Sequence, residues 1–144
     1  MGSTAMPILA MNFRVQIDGL TVGAFREVTG LSGDTTVVEY RDGSDAFRSV
    51  RKGPGLQTFP NIVLKRGYTT NRELWNWYRN LTNGIADKRN GSIFLQDEAH
   101  NDVMQWDFVN AWVKKIDGPS FNATGNEVAI ETVELVHEGV SLAD

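Results

Sequence analysis

A mainly β domain with a single covering helix is the fold this sequence predicts, on three observations. Asx-Gly pairs punctuate it: Asp18-Gly19, Asp42-Gly43, Asn83-Gly84, Asn90-Gly91 and Asp117-Gly118. Such pairs tolerate the positive φ of tight turns and are the strongest short-range hairpin signal. Between them lie short runs of β-branched and aromatic residues with period-two patterning. One segment alone, Asn71 to Asn83, carries helical spacing.

Taken in order, Phe13, Val15 and Ile17 alternate with Arg14 and Gln16, as in a half-buried strand. Thr35 to Tyr40 is rich in β-branched residues, and Ile62 to Leu64 and Ile93 to Leu95 are short apolar runs. Val103 to Lys115 and Glu127 to Glu138 are longer. The total is about seven or eight strands in a small β-barrel or sandwich. In the helical segment, Leu74, Trp77, Tyr78 and Leu81 fall at i, i+3, i+4 and i+7 and make the core-facing stripe. Arg72, Glu73, Asn76, Arg79 and Asn80 fall on the exposed side, and Trp75 lies off the stripe. Thr70 and Glu73 fit a capping box, and Asn83-Gly84 fits a left-handed stop.

A chain of 144 residues with 41% hydrophobic and 22% charged residues is one ordinary folded domain. Residues 1–11 read as a flexible N-terminal segment and 12–144 as the domain. Within it, Arg41 to Thr58 is the longest stretch without a clear helix or core strand. A loop that long is functional or an exposed hairpin arm, and the two are compatible. In Met104 to Val113 one face shows Met104, Trp106, Phe108 and Trp112, and the other shows Val109, Ala111 and Val113. Apolar residues on both faces point to cover by the helix, or to packing on another subunit.

Composition excludes several classes. A net charge of -4 gives no basic footprint for nucleic acid. The absence of cysteine removes disulfide scaffolds, zinc fingers and thiol catalysis. No apolar run approaches a membrane span, and no basic, apolar leader is visible. Asp97-Glu98-Ala99-His100 spells a helicase acidic box, but no phosphate-cradling Gly-rich loop accompanies it. With Asp102 the same residues could be imagined around a metal ion, yet the spacing and the missing glycine do not fit a calcium loop. His137-Glu138 lacks the second histidine of a zinc protease, and no serine sits in Gly-x-Ser-x-Gly. No catalytic, cofactor-binding or metal site is therefore assigned, and no cofactor is expected.

An ordered series of motifs carries a resemblance. It begins with Phe13-Arg14-Val15-Gln16-Ile17-Asp18-Gly19-Leu20 and Thr29-Gly30-Leu31-Ser32-Gly33. Gly53-Pro54-Gly55, Leu64-Lys65-Arg66-Gly67 and Leu74-Trp75-Asn76-Trp77-Tyr78 follow. Asn90-Gly91-Ser92-Ile93 and Trp106-Asp107-Phe108-Val109-Asn110-Ala111-Trp112 continue it, and Asn126 to Glu131 and Glu134 to Gly139 close it. Together these resemble the tail tube proteins of contractile phages and of phage-derived extracellular contractile injection systems. The last two blocks are most similar to the extracellular particles. Val113 departs from the usual proline after the second tryptophan, a local difference.

The resemblance implies a structural, non-enzymatic protein similar to the type VI secretion tube protein. Six copies would form a ring with strands joined around a channel, and rings would stack inside a sheath. Sheath, baseplate and tube-initiating proteins are the implied partners, with protein cargo or DNA in the lumen. Assembly in the cytoplasm, in a particle then released or fired, is the implied location. On this reading the arm 42–56, with Asp42, Asp45, Phe47, Arg48, Arg51 and Lys52, stacks rings and orders only on stacking. Asp97, Glu98 and Asp102 are weak candidates for its acidic partners. Trp106, Val109, Ala111, Trp112 and Val113 form the subunit-packing strand. Two alternatives stay open: a monomeric ligand-binding β-barrel lined by tryptophans, and an enzyme built on Asp97, Glu98 and His100.

Overall fold

The computed structural model describes residues 12–41, 43, 50–67, 69–118 and 129–143. The expected flexible segment 1–11 lies outside the described residues. Among the described residues ten strands and one helix follow one another: β1 (Asn12–Ile17), β2 (Leu20–Phe25), β3 (Glu27–Thr29), β4 (Asp34–Tyr40), β5 (Arg51–Thr58), β6 (Ile62–Gly67), α1 (Glu73–Thr82), β7 (Arg89–Gln96), β8 (Asp102–Asp117), β9 (Ile130–Val136) and β10 (Gly139–Leu142). That exceeds the seven or eight expected. The additional strands are short or glycine-rich: β3 has three residues, and β5 reads Arg-Lys-Gly-Pro-Gly-Leu-Gln-Thr.

Eight strands form one sheet in the order β2-β1-β7-β8-β9-β6-β3, with β10 also paired to β8. The pairings are antiparallel throughout. The sheet is not a closed barrel, which corrects one of the two forms expected. It folds over instead, so that its inner faces meet. Where β2 comes up to β6, the Arg26 N–H donates to the Lys65 carbonyl at 2.9 Å. The Arg66 guanidinium donates to the Val22 carbonyl at 2.6 Å. β4 and β5 form a separate two-stranded sheet.

The core comes from the inward parity of each strand: Val15 and Ile17, Ile62 and Leu64, Ile93, Val133 and Leu135. α1 adds Leu74 and Trp77. Tyr78 is half-buried, and Leu81 is 39% exposed because the helix ends one residue later. Asn80, placed on the exposed side by spacing, is half-buried because its amide donates to Asp87 at 2.9 Å. The helix start also differs from the spacing: it begins at Glu73 with Arg72 at the N-cap, and the Asn71 side chain accepts the Glu73 N–H at 2.9 Å. Gly84 follows at φ 81°, which fits the left-handed stop.

The long strand β8 carries the main structural surprise. Its two faces are not the ones that simple alternation assigns, and Val109 and Met104 are exposed. Phe108, Ala111 and Val113 are all buried in the same core. Between Phe108 and Ala111 an extra residue enters: Gly91 opposes Phe108 while Arg89 opposes Ala111. Asn110 sits there at φ 52°. A second extra residue, Lys114, enters between Val113 and Lys115. Each β-bulge shifts the parity by one and re-aims the side chains beyond it. So β8 serves two partners in turn: its first half pairs with β7 and β10, its second with β9.

Candidate assembly surfaces

The β4–β5 arm stands off the body with every residue of β4 exposed. Val37 is 63% exposed and Leu56 79%. On one side Tyr40 and Val38 lie over Gly53 and Gly55, where a β-carbon would meet them. Lys52 opposes Glu39 and Arg51 opposes Tyr40 across the hairpin. Asp42, Asp45, Phe47 and Arg48 lie outside the described residues. The stretch 51–58 is thus a strand rather than an unstructured loop.

The arm is rooted on His137, which is buried. Its Nδ1 accepts the Gly139 N–H at 3.2 Å and its Nε2 lies 2.9 Å from the Pro60 carbonyl. Both contacts are made only by the neutral ring with its proton on Nε2. The Phe59 ring lies 5.9 Å away. This one side chain therefore ties the end of β9, the start of β10 and the exit from β5.

Of the five residues expected to pack a neighbouring subunit, Ala111 and Val113 are buried in the protomer's own core. The bulge at Asn110 is the reason. Trp106 and Trp112 are half-buried, and Val109 is 42% exposed. The bulge is held by side chains: Asn90 Oδ1 accepts the Asn110 N–H at 3.0 Å, and the Asn110 amide donates to Glu138 at 2.7 Å. Gly91 is required beside it, since a β-carbon there would strike Phe108 and the Gln16 carbonyl.

On the outer face of β7 and β8, Ser92 and Gln105 donate to Asp107 at 2.6 and 2.8 Å. These bonds, Ser92 first, hold the Asp107 carboxyl below its ordinary range. Nearby, Arg14 lies over the Phe94 ring at 3.9 Å and donates to Asp102 at 2.7 Å, which lowers the Asp102 carboxyl likewise. In the turn after β7, Asp97 accepts the N–H groups of Ala99 and Asn101. Asp97, Glu98, His100 and Asp102 are not drawn together: among the described residues no three His, Asp or Glu converge as metal ligands.

Sequence reasoning missed a buried ion pair. Arg66 Nε donates to Glu131 at 2.8 Å, with both side chains under one tenth exposed. Trp75 Nε1 donates to the other Glu131 oxygen at 3.1 Å, and the Arg66 guanidinium lies 4.8 Å from the Phe25 ring. The pair links α1, the sheet and the seam beside β2.

An open folded sheet with one helix and a projecting hairpin defines a class, and comparison with known proteins gives the family. The chain matches the model of the T4-like virus tail tube protein gp19 over residues 9–141. It belongs to that tail tube family. A search of curated proteins finds no match. Among solved structures it is similar to a chain of an extracellular contractile injection system, the PVC sheath-tube complex in the extended state. The TM-score is 0.81 at 28% identity, covering 97% of this chain and 93% of that one. A chain of the anti-feeding prophage tube terminating cap gives TM-score 0.79 at 28% identity, covering 98% and 93%. Hcp1 from Flavobacterium johnsoniae shares the fold, at TM-score 0.55 and 15% identity over 91% and 94%.

Proposed function

We propose that this protein is the inner tube subunit of a contractile injection particle or phage tail, and works as a conduit without catalysis. Six copies form a ring, and rings stack into a hollow tube inside a sheath, on a baseplate, with protein cargo or DNA in the lumen. Assembly takes place in the cytoplasm before the particle is released or fired. The β4–β5 arm is the observation that carries this reading. A two-stranded hairpin is marginal alone in water, and this one exposes Val37, Val38, Tyr40 and Leu56. It needs a cover from another molecule, and a head-to-tail contact between identical rings supplies one without closing the assembly. Arg51 and Lys52 set register against acidic groups of the next ring, each exposed pair contributing at most about 1 kcal/mol.

Negative-stain electron microscopy of the purified protein with its baseplate partners tests the proposal. Rings and tubes are expected; a monomer at high concentration, with no rings, overturns it. Deleting residues 44–51 should leave folded subunits that grow tubes poorly. Growth equal to the parent removes the arm as the stacking element. Added salt should loosen the stacks only in part, because it screens the Arg51 and Lys52 pairs but not the apolar cover of the arm.

A further inference from the structure

We infer that His137 is an acid-sensitive latch for the β4–β5 arm: its neutral ring holds both feet of the hairpin, and its protonated ring releases them. The arm leaves the body at Gly33 and returns at Phe59. A β-carbon on Gly33 would lie 3.2 Å from the Phe59 ring, and one on Gly139 would lie 3.9 Å from it. The Phe59 ring is therefore wedged between the foot of β4 and the start of β10. It also lies against the His137 imidazole, with 5.9 Å between ring centres. The next residue, Pro60, meets His137 Nε2 through its carbonyl at 2.9 Å. One foot of the arm is thus bonded to His137, and the other leans on it through Phe59.

The latch is chemically one-sided. The Gly139 N–H donates to Nδ1 at 3.2 Å, and the Pro60 carbonyl can only accept, so Nε2 must carry the proton. A second proton, on Nδ1, sets a donor against a donor where the residue is buried. Among the described residues no carboxylate pairs with the ring to hold an imidazolium in place. Glu138 is turned to Lys88 at 3.1 Å and Asn110 at 2.7 Å. Glu134 is turned to Asn61 at 2.7 Å and Lys114 at 3.5 Å. Phe59, Pro60 and Val109, which meet at this corner from the exit of β5 and from β8, carry no charge. Asp34, at the foot of β4, is exposed. The closed corner accepts only the neutral ring, whereas an open one accepts either form. It therefore binds fewer protons than the open one, and falling pH moves the balance toward open. Histidine is the side chain that changes charge most readily between about pH 5 and 8.

A second contact limits how far the arm can move. Gly30, at φ 93°, packs so closely on the Asn61 carbonyl that a β-carbon would overlap it. Asn61 is itself held by Glu134. This crossing lies on the body side of the latch, so the arm pivots about it and stays attached. β4 and β5 pair only with each other, and the corner at His137 sets the angle at which they leave the body. The consequence for assembly rests on the tube reading above: that angle brings the arm to the next ring, so neutral pH favours growth and acid slows it.

Nitrogen-15 NMR of the soluble protein, titrated from about pH 8 to about pH 5, tests the latch in a window above the ordinary carboxylate range. The chain has two histidines, and the other, His100, is exposed in the turn after β7 and serves as the internal control. His137 should show the Nε2–H form at the upper end. As it gains its second proton, the amide signals of Gly33, Phe59 and Gly139 should move with it. Hydrogen-exchange protection at Gly139, corrected for intrinsic rate, should fall about ten-fold or more while Ile93 and Val133 keep theirs. Relaxation should show β4 and β5 moving more freely against the body. His137→Gln can still donate to the Pro60 carbonyl but cannot charge, and should remove the transition; His100→Gln should leave it intact. A ring that stays neutral to about pH 5, or one that charges while the arm's amides stay still, overturns the inference. Both results come from the parent protein and do not depend on how the Gln variant folds. Tube growth followed by light scattering is the second readout. Parent growth should slow several-fold between about pH 7.5 and 5.5, and that of His137→Gln should not. Equal slowing in both overturns the latch's part in growth. Protein that shows the NMR transition but grows no tubes at either pH refutes the tube reading and leaves the latch standing.

Discussion

The body and the arm use the same residue types to opposite ends. Ile62, Leu64, Val133 and Leu135 are completely buried in the body, while Val37 and Leu56 in the arm are more than half exposed. Both regions are antiparallel hairpin structure. The difference is what lies on the far side: the body's sheet folds over on itself and is covered by α1, whereas β4 and β5 pair only with each other. Hydrophobicity therefore does not by itself decide burial in the protomer. The arm holds apolar area in reserve for another molecule.

Substitutions should separate the two regions sharply. Phe108→Ala empties a site with no exposed surface and should cost about 3–5 kcal/mol in urea unfolding. Leu56→Ala should change protomer stability by less than about 0.5 kcal/mol and yet slow tube growth in light scattering. Comparable losses from both would erase the distinction. Glu131→Ala leaves the Arg66 charge buried without its partner and should cost about 3–5 kcal/mol, whereas Arg66→Met/Glu131→Leu should come close to the parent. A double-mutant cycle in chemical denaturation checks this.

A smaller effect is expected at the bulge. Gly91→Ala forces Phe108 and the Gln16 backbone to shift and should cost about 1–3 kcal/mol, read as a lowered thermal midpoint. The smallest effect concerns acid. Asp107 has its carboxyl lowered from 3.8 in the folded protein by Ser92 and Gln105. A carboxylate lowered on folding contributes stability that is present above its unfolded pKa and is lost as pH falls through the folded one. Stability should thus decline as pH drops below about 4, and Asp107→Asn should flatten part of that decline. An unchanged slope in the variant would assign the acid sensitivity elsewhere.

Much of this was legible in the chain. Alternation at Phe13 to Ile17 and at Ile62 to Leu64 placed inward residues, and the stripe Leu74, Trp77, Tyr78 placed the helix against the sheet. β8 was not legible by parity, because a bulge changes the period without changing the composition. Its one signal was Asn110, a residue tolerant of positive φ inside a run of aromatic and β-branched residues. The buried pair left a similar trace. Arg66 continues the inward parity of Ile62 and Leu64, Glu131 that of Val133 and Leu135, and the two stand directly opposite across β6 and β9. The exposure of β4 had no local signature, since Thr35 to Tyr40 reads like any buried strand.

The strand order has a consequence for how the chain acquires its shape. β1 pairs with β2 at once, but its other edge waits for β7, with Phe13 opposite Leu95. β6 must likewise wait for β9, with Ile62 opposite Leu135. Such distant pairings bring a large loop-closure entropy before they return any contact, so folding belongs to the slow, milliseconds-to-seconds class of β-topologies. During that interval the arm's apolar residues are exposed as well, because β4 and β5 pair only with each other. The arm would present an apolar edge beside an unfinished body. Asp34 and Glu39 on one strand, Lys52 and the N–H-less Pro54 on the other, are the charged and proline breaks that discourage edge-to-edge pairing. The same breaks leave the arm's apolar faces free while discouraging its edges from pairing with another chain.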